Sequence, residues 1–317
     1  MSKILINRKI VTGPWGGGNN FVKSFHDSLL QHGHHIVYDL THNDIDLIVM
    51  IDPRYDDLGI SINEIFAYKQ RNPGVKILHR INECDARKNT NEIDGLLLAS
   101  NQIVDETVFI SGWLRDYFIS KGLNKNSSVI YNGCDSSHFY PEKNLQNKTI
   151  QYPIKIVTHH WSDNWMKGFD AYKHLDMLCS QNPERYQFTY IGRYAKEYSP
   201  AATKIIKPLH GKDLGDELRK HDVYVTASRW EPCGMHHIEG ASSGLPVVYH
   251  KEGGGIVEGC KSHGVSFSSS DELLKSIDEV VSRYDDLVSK IDYDFLSSTR
   301  AIRSYLDVVE SMLQVKK

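Results

Sequence analysis

The run Ser228-Arg229-Trp230-Glu231-Pro232-Cys233-Gly234-Met235-His236-His237-Ile238-Glu239-Gly240-Ala241-Ser242-Ser243-Gly244-Leu245-Pro246-Val247-Val248 holds three pieces of structure in succession. Asp222–Ala227, just ahead of it, is rich in β-branched and aromatic residues and reads as a strand. Gly234 opens a helix predicted over Met235–Ser243, Gly244 closes it, and Pro246–Tyr249 is the next strand. Parallel strands need a crossover of this kind, so the run predicts a strand–helix–strand unit of a parallel sheet.

The same cycle repeats outward in both directions. Strands are expected at Lys3–Ile10, His35–Leu40, Asp46–Ile51, Val75–Ile81, Gly95–Ala99, Glu106–Ile110 and Ser128–Tyr131. Helices are expected at about Asn20–Gly33, Ile62–Arg71 and Trp113–Lys121. A second cycle starts near Pro153, with strands at Ile154–Thr158 and Gln187–Ile191 and helices at Lys167–Cys179 and Asp213–Lys220. The chain from Asp271 onward is polar with helical apolar spacing. Such alternation predicts an α/β protein of two doubly wound, Rossmann-like domains facing across a cleft. The expected divisions are 1–140, a polar linker at 141–152, a second domain at 153–294 and a terminal helix at 295–317 packing back on the first. Ligands of such sheets sit at the carboxyl ends of the strands, beside helix N-termini.

Composition removes several classes of function. Lys plus Arg number 37 and Asp plus Glu 40, a net charge of −3, which argues against a protein held to nucleic acid by bulk positive charge. No apolar run is long enough to span a bilayer, and the N-terminal one is too short for a signal peptide. No basic amphipathic helix marks a membrane anchor, which leaves weak peripheral contact. Five cysteines, at 84, 134, 179, 233 and 260, form no Cys-x-x-Cys pair. That pattern suits a reducing, cytoplasmic setting without disulfides or a zinc site. The Asn-x-Ser/Thr triplets at Asn126 and Asn147 then carry no meaning.

Gly13-Pro14-Trp15-Gly16-Gly17-Gly18-Asn19-Asn20-Phe21 joins the first strand to the first helix. Glycines there let the backbone approach an anion and aim N–H groups at it, with Gly17 and Gly18 as the candidates. Gly16, Gly18 and Asp39 also match part of a dinucleotide fingerprint, so a nicotinamide-linked oxidoreductase is an alternative. Phe21 stands where that fingerprint needs its third glycine.

The run from Ser228 resembles the Glu-x7-Glu signature of retaining glycosyltransferases of the GT-B fold, family 4 (glycosyl transferases group 1). Glu231 and Glu239 have the required separation, Gly234 opens the helix, and Gly244-Leu245-Pro246-Val247-Val248 closes the unit. Gly253-Gly254-Gly255-Ile256-Val257-Glu258 resembles the family's second glycine loop. Val129-Ile130-Tyr131-Asn132-Gly133-Cys134-Asp135 resembles the segment that closes its first domain, and Lys167-Gly168 matches its Lys-Gly pair.

The resemblance implies a metal-independent enzyme that moves a sugar, with retention, from a nucleotide-diphosphate sugar to a glycan, lipid-linked or protein hydroxyl, with no other cofactor. It assigns Lys167 and the amides at Gly234, Met235, Gly254 and Gly255 to the donor's diphosphate and sugar. Glu239 goes to the ribose hydroxyls, Glu231 to the transferred sugar, and His210 to the nucleobase loop. His79 is a candidate for the reacting groups, and Asn82, Glu83 and Asp85, beyond the same strand, for acceptor hydroxyls. One departure stands out: the strand before Lys167 ends in Thr158-His159-His160 where the family has Gly-Arg. His160 or His159 is a candidate to donate a hydrogen bond there, without the arginine's fixed charge or fork, and Arg193 is a candidate source of the charge. Gly240 stands where the family has alanine, at a cost of about 1 kcal/mol in a helix. A protein that binds sugar nucleotides or glycans without catalysis is a further alternative.

Overall fold

The computed structural model describes residues 1–11, 17–123, 127–143, 145 and 148–314. The expectations on Gly13–Gly16, Asn126 and Asn147 lie outside them. The contacts divide the chain into two units. The first comprises 1–85, 90–131 and 299–317, and the second 86–89 and 132–298. Pro141–Tyr152 thus belongs to the second unit.

The first unit is built on a parallel sheet of order β2-β1-β3-β4-β5-β6, from β1 (Lys3–Ile6), β2 (His35–Val37), β3 (Leu47–Met50), β4 (Lys76–Ile81), β5 (Glu106–Phe109) and β6 (Ser127–Val129). Its helices are α1 (Gly17–Gln31), α2 (Ile62–Arg71), α3 (Ile93–Ser100) and α4 (Gly112–Ser120). The last helix of the chain, α11 (Ser298–Gln314), turns Ile302, Tyr305, Leu306 and Val309 into the same core as Ile4, Phe25 and Val49. Phe21, the residue in the third-glycine position, packs its ring 4.8 Å from that of Tyr305.

Local chemistry sets the helix starts. Ser61 and Glu64 form a reciprocal capping box at α2, and the Ser111 hydroxyl accepts from Leu114 N–H at α4. Residues 95–99, expected as a strand, are helical instead. The Asp85 carboxylate accepts the N–H groups of Glu92, Ile93 and Asp94 at 3.0 Å each, which fixes the helix start at Ile93. A short apolar run such as Leu96-Leu97-Leu98 fits a buried strand or a helix equally, so the cap decides.

The second unit holds a parallel sheet of order β12-β11-β10-β7-β8-β9, from β7 (Ile154–His160), β8 (Tyr186–Gly192), β9 (Lys204–Ile206), β10 (Val223–Thr226), β11 (Val247–His250) and β12 (Gly264–Phe267). Around it lie α5 (Phe169–Gln181), α6 (Gly211–Leu218), α7 (Met235–Ser242), α8 (Gly255–Cys260), α9 (Leu273–Ser282) and α10 (Tyr284–Ser289). Strand order reverses between β7 and β10, which run side by side with Val223 opposite Ile156. In an open α/β sheet that reversal leaves a crevice at the carboxyl ends of the two strands.

Candidate active site

Two chain segments leave that reversal point. From β7 the chain runs through His159 and His160 into a 3-10 turn, Trp165–Lys167, capped by the Asn164 side chain on Met166 N–H at 2.9 Å. Lys167 therefore stands on a turn before α5, and not in the helix itself. Gly168 follows with φ of 93°. A Cβ there would lie 2.3 Å from Ala227 Cβ, so only glycine lets the turn close on the end of β10.

From β10 the chain runs to Glu231, whose backbone pairs with Gly254 and accepts Gly255 N–H at 2.9 Å. The side chain of Glu231 is buried. One oxygen contacts the Lys167 ammonium, and the other lies 3.4 Å from Arg87 Nε. Burial alone would raise this carboxyl; the two cations outweigh it and hold it down at about 2. Burial also pulls the Lys167 ammonium below its ordinary value, against the attraction of Glu231.

Gly234 is the N-cap of α7, and among the described residues no side chain caps it. A Cβ on Gly234 would sit 2.5 Å from the His236 ring, so the helix start is bare by necessity. Bare N–H groups at a helix N-terminus favour an anion. Just before it, Cys233 offers its carbonyl to Asn132 Nδ2 at 2.9 Å.

Glu239 lies further along α7, partly exposed, and meets His159 Nε2 at 2.8 Å. The histidines at the end of β7 alternate in direction, as strand neighbours do. His160, expected at the donor, instead meets Tyr172 OH at 2.7 Å and lies 4.6 Å, ring to ring, from His236. Burial holds His160 well below its ordinary value, so it supplies no positive charge. It does not replace the family's arginine as a cation.

The other expected residues are spread more widely. Gly254, with φ of 67°, precedes α8, and Gly255 is its first residue. Arg193 is exposed with its guanidinium 4.4 Å over the Trp161 ring, and His210 is the exposed N-cap of α6. In the first unit, Gly17 and Gly18 form the start of α1, and His79 in β4 is fully buried with neither ring nitrogen hydrogen-bonded. Burial pulls His79 to about 3, although Asp52 resists the shift. Glu83 meets Arg54 at 3.1 Å, and Asp85 is spent on the start of α3 rather than left for a ligand. Sequence reasoning missed Arg87, Asn132 and the phenols of Tyr172 and Tyr224. Only the basic pair Arg87-Lys88, just past a polar strand end, carried any signal.

Residues 171–292 match the family described as Glycosyl transferases group 1. The chain carries a glycosyl transferases group 1 domain. By that domain it is a glycosyltransferase, and the whole chain follows solved structures of the GT-B type. A sucrose-phosphate synthase from Thermosynechococcus elongatus superposes with a TM-score of 0.73 at 13% identity, over 99% of this chain and 100% of that one. Anabaena Alr3699/HepE, solved in complex with UDP-glucose, gives 0.71 at 15%, over 98% and 100%. WaaG, a glycosyltransferase involved in lipopolysaccharide biosynthesis, gives 0.66 at 12%, over 96% and 99%. No curated protein sequence matches the chain. Among the described residues, no helix is long and apolar enough to cross a membrane.

Proposed function

We propose that this protein transfers a sugar, with retention and without a divalent metal, from a nucleotide-diphosphate sugar to a hydroxyl acceptor. The observation that carries the proposal is the Glu231 carboxylate set between Lys167 and Arg87 beside the glycine-opened start of α7. Breaking an anomeric bond to a diphosphate builds negative charge on the leaving group. Fixed cations and helix amides stabilise that charge with little reorganisation. Lys167, Arg87 and the amides at the start of α7 are the groups this site offers for the task.

Lys167 and the amides at Gly234 and Met235 hold the diphosphate. Glu239 accepts the ribose hydroxyls, and Glu231 orients the transferred sugar. The leaving phosphate itself takes the acceptor proton, so no protein nucleophile is assigned. Asn82 and Glu83, just after β4, serve the acceptor side, with His79 buried in the strand before them. HepE was solved with UDP-glucose, which makes uridine donors the first to try. Asp39, the acid required by the oxidoreductase alternative, is exposed and accepts Thr41 N–H at 3.0 Å, as in an ordinary turn.

A thermal-shift screen of UDP-, GDP- and ADP-sugars, with NAD and NADP beside them, tests the reading. At a hundredfold excess over its dissociation constant, the true donor adds about 2.7 kcal/mol of stability. Lys167→Met then lowers donor turnover by about 10²–10³. A shift with NAD alone, or turnover unchanged in Lys167→Met, would contradict it.

A further inference from the structure

We propose that His159 is the positioning residue of the donor site: its imidazole, braced by the Tyr224 hydroxyl, fixes the Glu239 carboxylate to receive the two vicinal hydroxyls of a nucleotide ribose. The proposal rests on the donor reading above and adds to it the means by which Glu239 is held.

Glu239 stands on a helix face with its side chain 17% exposed. A glutamate there is free to turn among rotamers, and that freedom is lost when a ligand is bound. His159 removes it beforehand. A carboxylate only accepts, so the 2.8 Å contact is a donation from His159 Nε2–H to Glu239 Oε2. Among the described residues His159 is the side-chain partner of this carboxylate, which leaves the other oxygen for hydroxyl donors.

The imidazole is fixed in turn from behind. Tyr224 OH lies 3.1 Å from His159 Nδ1 and accepts the His159 backbone N–H at 3.2 Å. Burial pushes the Tyr224 phenol well up, so it remains a hydroxyl whose one proton goes to Nδ1 at 3.1 Å or to the His159 carbonyl at 3.4 Å, and the shorter contact is the one to Nδ1. With Nδ1 accepting and Nε2 donating, one tautomer serves both neighbours. Both ring nitrogens are thereby spent, so His159 is a support for the ligand-binding group and not itself an anion ligand.

The space for this arrangement comes from Gly240. A Cβ at that position would lie 2.5 Å from the Tyr224 ring. The glycine inside α7, a cost of about 1 kcal/mol by helix propensity alone, is what lets the tyrosine sit beneath the helix. His159 on β7, Tyr224 on β10 and Gly240 on α7 are therefore one device. A histidine that donates to a carboxylate is familiar from metal sites, where losing the supporting partner costs about 10–100-fold in affinity.

The test is a calorimetric titration of UDP, GDP and ADP, each with its 2′,3′-dideoxy counterpart. It is run on the wild type, Glu239→Leu, His159→Phe, His159→Gln and Tyr224→Phe. The readout is the ratio of the two affinities on one preparation, from which the folded fraction cancels. Wild type should favour the best ribonucleotide by about tenfold or more, and Glu239→Leu should abolish the preference. His159→Phe should lower the ratio to about threefold or less, Tyr224→Phe should lower it in part, and His159→Gln, whose amide still donates, should restore most of it. A wild type that ignores the hydroxyls, or a Glu239→Leu protein that still recognises them, removes the donor reading and the inference together. Loss of the preference in Glu239→Leu with an unchanged ratio in His159→Phe overturns the inference alone. If His159→Phe does not fold, an unchanged ratio in Tyr224→Phe does the same.

Discussion

Substituting either partner of the Lys167–Glu231 pair has unequal and calculable consequences. The two side chains are in contact and only 11% and 6% exposed. Removing one partner of a buried pair costs about 3–5 kcal/mol, because the other charge is left without compensation. Here a third charge breaks the symmetry. In Lys167→Met, Glu231 keeps Arg87 at 3.4 Å. At an effective dielectric constant of ~20 that separation is worth about 5 kcal/mol of attraction, enough to keep the carboxylate charged. The expected cost is near the lower bound, about 3 kcal/mol. In Glu231→Gln, Lys167 and Arg87 lose the anion between them, and Arg87 already acts against the Lys167 charge. The expected cost is near the upper bound, about 5 kcal/mol.

The double variant leaves Arg87 alone and should cost less than the two single costs together, by about 2 kcal/mol. Denaturant unfolding, followed by amide exchange across peptides of β10 and α7, reads the second unit by itself. Single costs that add within about 0.5 kcal/mol would show that the two charges do not meet in a buried pair. A Lys167→Met protein less stable than Glu231→Gln would refute the part given to Arg87.

Gly168→Ala meets both the positive φ and the crowding against Ala227, and should lose about 2–4 kcal/mol; a loss below about 0.5 kcal/mol by denaturant unfolding would place the turn elsewhere. Burial pulls His79 and His237 to about 3 and His263 to about 4, and holds His160 and His236 well below the ordinary 6.5. Between those values and 6.5 the unfolded chain binds more protons, so stability is full above about pH 6.5 and falls as pH drops. Each ring contributes up to about 1.4 kcal/mol per pH unit, and equal unfolding free energies at pH 7 and pH 5 would contradict this burial. All five cysteines are buried and unbridged, so a thiol reagent should react with them only as the chain unfolds; prompt reaction of any one in the native protein would count against its burial.

The two sheets were legible because their strands alternate with helices of clear apolar spacing. Val223–Thr226 lies within the segment read as a strand, and Val247–His250 runs one residue past the end of its own. Weak elements were not legible. Lys204–Ile206 is a short, largely exposed edge strand with no alternation to detect. Gly264–Phe267 follows the polar Lys261-Ser262-His263 and is marked by little besides its neighbour β11. The helix Gly255–Cys260 was hidden inside a glycine cluster that sequence reasoning treats as a loop.

For the site, local spacing and long-range contact carry different information. Glu231, Gly234 and Glu239 could be placed because one helix and the loop before it set their order. Nothing in that order says that Lys167 contacts Glu231, or that His159 reaches Glu239 across eighty positions. The same limit explains why Gly240 looked like a simple loss of helix propensity. Its value lies in the ring of Tyr224, which belongs to a different strand. A residue exchanged against a family pattern is therefore best judged by what occupies the space it vacates. By that standard His159, Tyr224 and Gly240 are mutually fitted. The costs of changing them one at a time should therefore not add, because each change removes a partner that the other two were shaped to meet.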